Sequence, residues 1–462
     1  MKIGLLPLYI ALYDERTPEI RPRLDDFYNS VACLIEEQGI SVIKSSFCRV
    51  RHEFEAAIKL FEAEQVDAIV TLHMAYSPSL ESCDVLKNTY LPLIIFDTTQ
   101  TKDFSDHQIP DEISYCHGIH GVMDMCNLLN RTQKNFAICA GYYKDEAVIK
   151  KLCGYIKAAS CANALNGSLV GSVGENFKGM GDFLISDEDL KENFGVTVVH
   201  ACREEMAALS QEVTDEEINL EIEKDLQIGE ILADFDIKQH EASIKADLTL
   251  RKWTQKNNLS AITINFQTVT DAGLPTMPFM ETCRLMNRGI GYAGEGDVIT
   301  ASFTGALLSC YPETSFVEIF CPDWEHDSLF ISHMGEMNYR VADKKIELFE
   351  KEFIFGDGIN PIAGTAAFKP GAAIFVNIFK SHDGFKLFLS PVTVLKESTN
   401  NFAGNIRGWI KPSMPVSQFL EQLSIAGATH HSILVYNVSV EELSFFANCL
   451  DVRPVVINSE SK

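Results

Sequence analysis

Strand-length apolar runs alternating with amphipathic helical stretches constrain this chain more than any other feature. Lys2 to Leu8 reads as a buried strand. Leu24, Phe27, Tyr28, Val31, Leu34 and Ile35 fall at helical spacing, and Gly39 stops that helix. Ser41 to Phe47 is the next strand, and Phe54, Ile58 and Phe61 mark a second helix. Ala68 to Leu72, Leu93 to Phe96 and Phe136 to Cys139 are further strands, and Asp145 to Leu165 is a long helix. Near-continuous apolar strands separated by helices predict a parallel sheet covered on both faces, the doubly wound arrangement. Ligands of such sheets sit beyond the carboxyl ends of the strands, here the polar stretches His73 to Pro78 and Asp97 to Gln100. No glycine-rich fingerprint follows the first strand, so a dinucleotide is not expected.

The alternation continues to about residue 310, with strands at Leu169 to Val173, Val196 to Val199 and Ala261 to Phe266. The acidic stretch Thr214 to Asp225 reads as a solvated helix face. Glu281 to Met286 is helical, a glycine-rich segment leads to Glu295, and a helix follows from Val298 to Cys310. Beyond 311 the texture changes. Ser315 to Phe320, Ser328 to His333, Ala373 to Phe379 and Phe385 to Val394 read as strands, a pattern for a small barrel or sandwich. A helix at Val416 to Ala426, a strand at Ser432 to Tyr436 and a helix at Val440 to Leu450 follow. A chain of 462 residues exceeds one ordinary core. The expected fold class is therefore α/β, with two doubly wound α/β domains, 1–167 and 168–310, followed by a β-rich, barrel-like C-terminal domain, 311–462.

A formal net charge of -25 repels phosphates, which argues against nucleic acid and anionic membrane as partners. The 13 cysteines form no CxxC pair, and reduced, buried thiols in a cytoplasmic protein are expected. The N-terminal stretch Met1 to Arg16 lacks the layout of a signal peptide and reads as the first strand. No apolar stretch reaches the roughly 20 residues that span a bilayer.

Two carboxylates and two histidines in the C-terminal third carry the chemistry. Glu295 lies between Gly294 and Gly296, which let the backbone bend and a ligand approach; taken alone it reads equally as a surface-turn carboxylate. Glu318 is the lone charge in Ser315-Phe316-Val317-Glu318-Ile319-Phe320, where alternation puts Phe316, Glu318 and Phe320 on one face. A carboxylate there is costly unless it is paired or coordinated, or unless the strand is an exposed edge. His333 ends an apolar strand, a position more often structural than ligating. His430 and His431 precede another strand, and alternation would send their side chains to opposite faces. Two carboxylates with two imidazoles suit Mn²⁺ or Mg²⁺ better than a thiolate-seeking metal. Such a site keeps positions open for neighbouring oxygens of a sugar.

Four segments in order resemble the L-arabinose isomerase family, within the wider L-fucose/L-arabinose isomerase superfamily. Tyr292-Ala293-Gly294-Glu295-Gly296-Asp297 resembles the family's GAEGDW, and Thr314 to Glu318 its TSFMED. Ser332-His333-Met334-Gly335-Glu336 resembles SHMLE, and Ala426 to His431 resembles GGAHH. The resemblance implies Glu295, Glu318, His333 and His431 as ligands of Mn²⁺, with Mg²⁺ or another divalent cation as substitutes. It also implies Glu295 and Glu318 as the catalytic acid/base pair. Cys116-His117-Gly118 resembles the family's AHG, His73 with Tyr76-Ser77-Pro78 its HTFSP, and Phe96 to Gln100 a stretch ending in Asn-Thr-Gln. Substrate contacts from His117, His73, Gln100 and Tyr9 are thereby implied, supplied across a subunit boundary of a homo-oligomer, a trimer or hexamer.

The chain departs from the family at named places. Leu6 to Ala11 stands where the family has SQHLYG, and Ile119 to Val122 replaces an acidic-arginine run. Val298 replaces a Trp and Ile319 an Asp. The metal-binding segments are kept while the sugar-facing loops differ. The expected activity is a metal-dependent aldose–ketose isomerase acting on an open-chain sugar other than L-arabinose. A sugar epimerase, an isomerase of a modified sugar and a non-catalytic sugar-binding descendant are the alternatives.

Overall fold

The computed structural model describes residues 1–354 and 358–457. The chain divides into two compact units, Met1–Asn163 and Ala164–Lys462.

In the first unit, β1 (Lys2–Leu8), β2 (Ser41–Lys44), β3 (Ala68–His73), β4 (Leu93–Asp97) and β5 (Phe136–Ala140) form a parallel sheet in the order β2-β1-β3-β4-β5. The helices Arg21–Glu36 and Arg51–Ala63 alternate with these strands, as the periodicity predicts, and Ser79–Asn88 and Ile119–Arg131 continue the alternation. β3 is buried along its whole length, which explains its unbroken apolar reading. Gly4 sits in β1 for a packing reason: a Cβ there would lie 2.5 Å from the ring of Phe61. β1 and β3 pair Leu8 with His73, so Tyr9 and His73 lie at the carboxyl end of the sheet, beside the loop that follows β4.

The second unit contains β6 (Leu169–Val173), β7 (Thr197–His200), β8 (Gly229–Ile231), β9 (Ala261–Ile264), β10 (Gly291–Gly294), β11 (Thr314–Asp323), β12 (Ser328–Ser332), β13 (Ile346–Glu350), β14 (Ile362–Thr365), β15 (Gly371–Ser381), β16 (Gly384–Val394), β17 (Gly408–Pro412), β18 (His431–Tyr436) and β19 (Arg453–Val456). A second parallel sheet runs β10-β9-β6-β7. The glycine-rich segment before Glu295 is its edge strand, β10. Glycine is needed there because a Cβ on Gly291 would lie 2.3 Å from the backbone of the helix Val298–Leu308. That helix is buried on every side. It packs against β9 and β10, and also against β11, β15 and β18.

The C-terminal strands close on themselves. The order β15-β18-β11-β12-β17-β16, with β15 pairing back to β16, makes a six-stranded antiparallel barrel, and β19 adds to β16 in parallel. Closure removes the open edges that a sheet would present. Val317, Ile331, Phe375, Phe388, Ile410 and Leu434 pack in its core. Phe419, from the helix Val416–Ala426, meets Phe375 and Phe388 edge to face at 5.8 Å each. β8, β13 and β14 form a small separate sheet. Among the described residues no helix is long and apolar enough to cross a membrane.

The acidic stretch is not simply a solvated face. It forms the helix Asp215–Ile228, started by a capping box between Thr214 and Glu217, but Glu221 and Asp225 are buried. Charge pattern alone could not show that cations stand opposite them. Arg284 meets Asp225, reaches Asp247 at 3.0 Å and Glu221 at 3.3 Å. Arg251 bridges Glu221 at 2.8 Å and Glu281 at 2.5 Å, and His240 approaches Asp225 at 3.0 Å. Removing one partner of such a network leaves buried charge without compensation, at a cost of about 3–5 kcal/mol. Arg284→Leu is therefore expected to lower the urea midpoint of the second unit, followed by the fluorescence of Trp253, Trp324 and Trp409. An unchanged midpoint would show that the carboxylates do not depend on this cation.

Candidate metal centre

Glu295 follows β10 in a left-handed turn, with φ 65° at Glu295 and 89° at Gly296. A non-glycine residue in that region costs about 1–2 kcal/mol. One backbone and one side-chain acceptor hold the turn: the Glu295 N–H donates to Ile264 O at 2.8 Å, and the Gly296 N–H to Thr263 Oγ1 at 3.0 Å. Glu318 lies on β11. Its neighbour Val317 packs in the barrel core, so alternation turns Glu318 and Phe316 out of the barrel. β11 pairs Glu318 with Ser332 on one side and with His431 on the other. His333 is the next residue after Ser332, and His431 is the first residue of β18. Sheet register therefore brings one carboxylate and two imidazoles together.

His431 Nε2 lies 3.0 Å from Glu318 Oε1 and 3.5 Å from Glu295 Oε2, and His333 Nε2 lies 3.1 Å from Glu318 Oε1. His430 also reaches the site, with Nε2 3.5 Å from Glu295 Oε2. Strand alternation does not separate the adjacent histidines because His430 precedes β18. Glu295, Glu318, His430 and His431 each place one ligand atom within 4.8 Å of the others. Glu295 Oε2, Glu318 Oε1 and His431 Nε2 are buried without a hydrogen-bond partner: they attract as charges but are not aligned as donors and acceptors. Buried polar atoms of native proteins are ordinarily satisfied. Three convergent exceptions of carboxylate and imidazole type fit a divalent cation.

Each imidazole is held from behind. His333 Nδ1–H donates to Glu336 Oε2 at 2.6 Å, His431 Nδ1–H to Asp297 Oδ2 at 2.9 Å, and His430 Nδ1–H to Asp182 Oδ2 at 2.7 Å. Such pairing fixes the tautomer and leaves Nε2 free to ligate. The carboxylates are themselves fixed. Tyr292 Oη donates to Glu336 Oε1 at 2.6 Å, and the Thr300 N–H to Asp297 Oδ1 at 2.9 Å, where Asp297 caps the buried helix. Burial alone would push the carboxylates up and the imidazoles down, but their mutual attraction outweighs it. Glu295 is held at about 2 and Glu318 well below the usual carboxylate range. His333 is pushed up to about 10, His430 to about 9, and His431 well above its ordinary value. The pocket draws in positive charge, as protons or as a metal ion.

Glu336 and Asp297 lie in the same short segments as His333 and Glu295, and a search for carboxylates behind the histidines would have found them. Asp182 is 248 residues from His430, with no local signal.

The four sugar-contact candidates belong to the first unit. Tyr9 is buried against Tyr13 and Phe47, and its hydroxyl has no partner. His117 Nε2 accepts from Tyr13 Oη at 3.0 Å, and its Nδ1–H donates to Ile113 O at 2.6 Å. Gln100 Nε2 donates to Arg23 O at 2.9 Å, while its Oε1 is unpaired. His73 is covered: a Cβ on Gly121 would lie 2.5 Å from its ring. Both of its nitrogens lack partners, as do the hydroxyls of Thr71, Ser77 and Thr98.

Burial pushes the His73 imidazole down to about 3, with Asp124 acting the other way. Between that value and an unfolded value near 6.5, the unfolded chain binds a proton that the folded unit refuses. This contribution to stability is therefore intact above pH 6.5 and is lost as the pH falls toward 3. His73→Asn should flatten the acid limb, read by hydrogen exchange of β1, β3 and β4 across that range. An identical pH dependence in both proteins would contradict it.

Comparison with known proteins agrees with this geometry. The L-arabinose isomerase central domain matches residues 187–309 and the L-arabinose isomerase C-terminal domain residues 313–453, together more than half of the chain. L-arabinose isomerase 2 of Clostridium acetobutylicum is 25% identical over 86% of this chain and 84% of its own length. L-arabinose isomerase of Shouchella clausii is 22% identical over 88% and 85%. That of Bacillus subtilis is 24% identical over 97% and 92%. The chain belongs to the L-arabinose isomerase family and is an aldose–ketose isomerase.

Proposed function

We propose that the enzyme depends on a divalent cation, Mn²⁺ in the first instance, held by Glu295, Glu318, His333 and His431. Its substrate would be an open-chain aldose or ketose other than L-arabinose. The observation that carries this reading is the convergence of unpaired, buried Glu295 Oε2, Glu318 Oε1 and His431 Nε2. The bound ion would polarise the carbonyl and the adjacent hydroxyl of the sugar.

Isomerisation moves a hydrogen from C2 to C1 and a proton from O2 to O1. Glu295 and Glu318 are held in the carboxylate form by the imidazoles beside them, the form that can accept a proton. In this reading one carboxylate takes the C2 proton and returns it to C1 through a cis-enediol, while the other shuttles the oxygen-bound proton. Deuterium entering the product from D₂O marks proton transfer, and its exclusion marks a hydride shift. Tyr9, Gln100 and His117 would contact the sugar from a neighbouring copy in a homo-oligomer, with His73 supporting them from beneath the helix that covers it. The altered segments Leu6 to Ala11 and Ile119 to Val122 support a sugar other than L-arabinose.

Glu295→Gln and Glu318→Gln should each lower kcat by at least about 10²-fold while keeping the native circular dichroism, the low end expected for a positioned acid/base group. Turnover close to wild type in both variants, across a panel of aldoses and ketoses, would sink the assignment. Asp297→Asn and Glu336→Gln should weaken Mn²⁺ binding about 10–100-fold by releasing the imidazoles behind which they stand. Calorimetric titration of the metal-stripped protein measures this, and unchanged affinity would place both carboxylates outside the metal's support.

A further inference from the structure

Three imidazoles reach the centre, one more than the proposed ligand set uses. The third, His430, differs from the others in exposure. Its side chain is 38% exposed, against 0% for His431, 3% for His333, 10% for Glu295 and 14% for Glu318. It stands at the solvent side of the cluster, yet it is one of the four residues whose ligand atoms lie within 4.8 Å of one another, and its Nε2 lies 3.5 Å from Glu295 Oε2.

His430 is built into this position. Asp182 Oδ2 accepts both its Nδ1–H, at 2.7 Å, and its backbone N–H, at 3.0 Å, so one carboxylate fixes ring and main chain together. Asp182 comes from a segment clamped to the Glu295 turn. The Phe177 N–H donates to Glu295 O at 2.9 Å, and Asn176 Nδ2 to Gly296 O at 3.2 Å. The clamp is tight enough that a Cβ on Gly296 would lie 2.6 Å from Asn176 Cα. Phe183, next to Asp182, stacks on His431 at 4.8 Å and 7°, and leans on His430 at 5.6 Å. The same segment thus sets the positions of both adjacent imidazoles.

We propose that His430 is a third imidazole ligand of the ion in the sugar-free enzyme and that it gives up this position to the sugar. The inference rests on the divalent-metal reading above. A sugar that brings two neighbouring oxygens to the ion needs room there, and His430 is the most exposed of the five donors. His430, ahead of β18 and facing solvent, would leave by giving up its bond from Nδ1 to Asp182. Asp182 sets its ring while it ligates.

The test uses full-length protein loaded with Mn²⁺ and labelled with ¹⁵N-histidine. Pulsed electron paramagnetic resonance then counts imidazole nitrogens bound to the metal. Three are expected in wild type without sugar and two in His430→Gln. Two are also expected in wild type with a large excess of glycerol, whose adjacent hydroxyls stand in for O1 and O2. His430→Gln should also bind Mn²⁺ about tenfold more weakly, with Asp182→Asn between it and wild type. Two nitrogens in sugar-free wild type would overturn His430 as a ligand while leaving the metal site intact. Three that persist in glycerol would overturn its displacement. Wild type that binds no Mn²⁺ would overturn the metal reading itself.

Discussion

Everything at the centre depends on one register: β11 pairs Glu318 with His431 on one side and with Ser332, the residue before His333, on the other. Because side chains alternate along a strand, a slip of one residue would turn Val317 out of the barrel core and Glu318 into it, among Ile331, Phe375 and Leu434. The apolar core therefore does more than stabilise the barrel. It excludes the slipped registers, since each would bury a charge without a partner. Closure between β15 and β16 strengthens this by leaving the six strands no free edge along which to shift.

The second fixed point is the Glu295 turn. It belongs to the parallel sheet, not to the barrel, and the buried helix Val298–Leu308 packs against strands of both. Asp297 links the two: one of its oxygens caps that helix and the other accepts from His431. On the far side of His333, Cys283 donates to Gly335 O and accepts from Met337 N, at 3.3 Å each. Its neighbour Arg284 anchors the buried ionic network. The loop carrying Glu336 is thus tied to a charge cluster as dehydrated as the metal centre.

Much of this was legible in the sequence, for identifiable reasons. Strands buried on both faces read as apolar runs, and the barrel strands beside Glu318 alternate cleanly. Lone charges in such runs, such as Glu318, stand out because their burial is costly. What escaped has no local pattern. β10 was hidden because its glycines answer to a helix that packs on them, not to strand propensity. Glu221 and Asp225 looked solvated because the arginines opposite them lie on other helices. Alternation, which applies inside strands and fails one residue before β18 begins, parts His430 from His431 without choosing between them, and the choice of His431 rests on the resemblance alone. Asp182 could not be found without knowing the path of the chain.

The charge count around the centre shows how closely its carboxylates and imidazoles depend on one another. Glu295, Glu318, Glu336, Asp297 and Asp182 surround three imidazoles. Even with all three imidazoles protonated, two negative charges are left over. Proton uptake by the histidines cannot neutralise the pocket, and in a largely dehydrated setting that imbalance is costly. A divalent cation that displaces the Nε2 protons does not remove this excess of negative charge, but it gives the unpaired Nε2 and carboxylate oxygens one shared partner. Loss of any one carboxylate or imidazole disturbs this balance for all the others. Leu6 to Ala11 and Ile119 to Val122 belong to the other unit of the chain and supply none of these carboxylates and imidazoles.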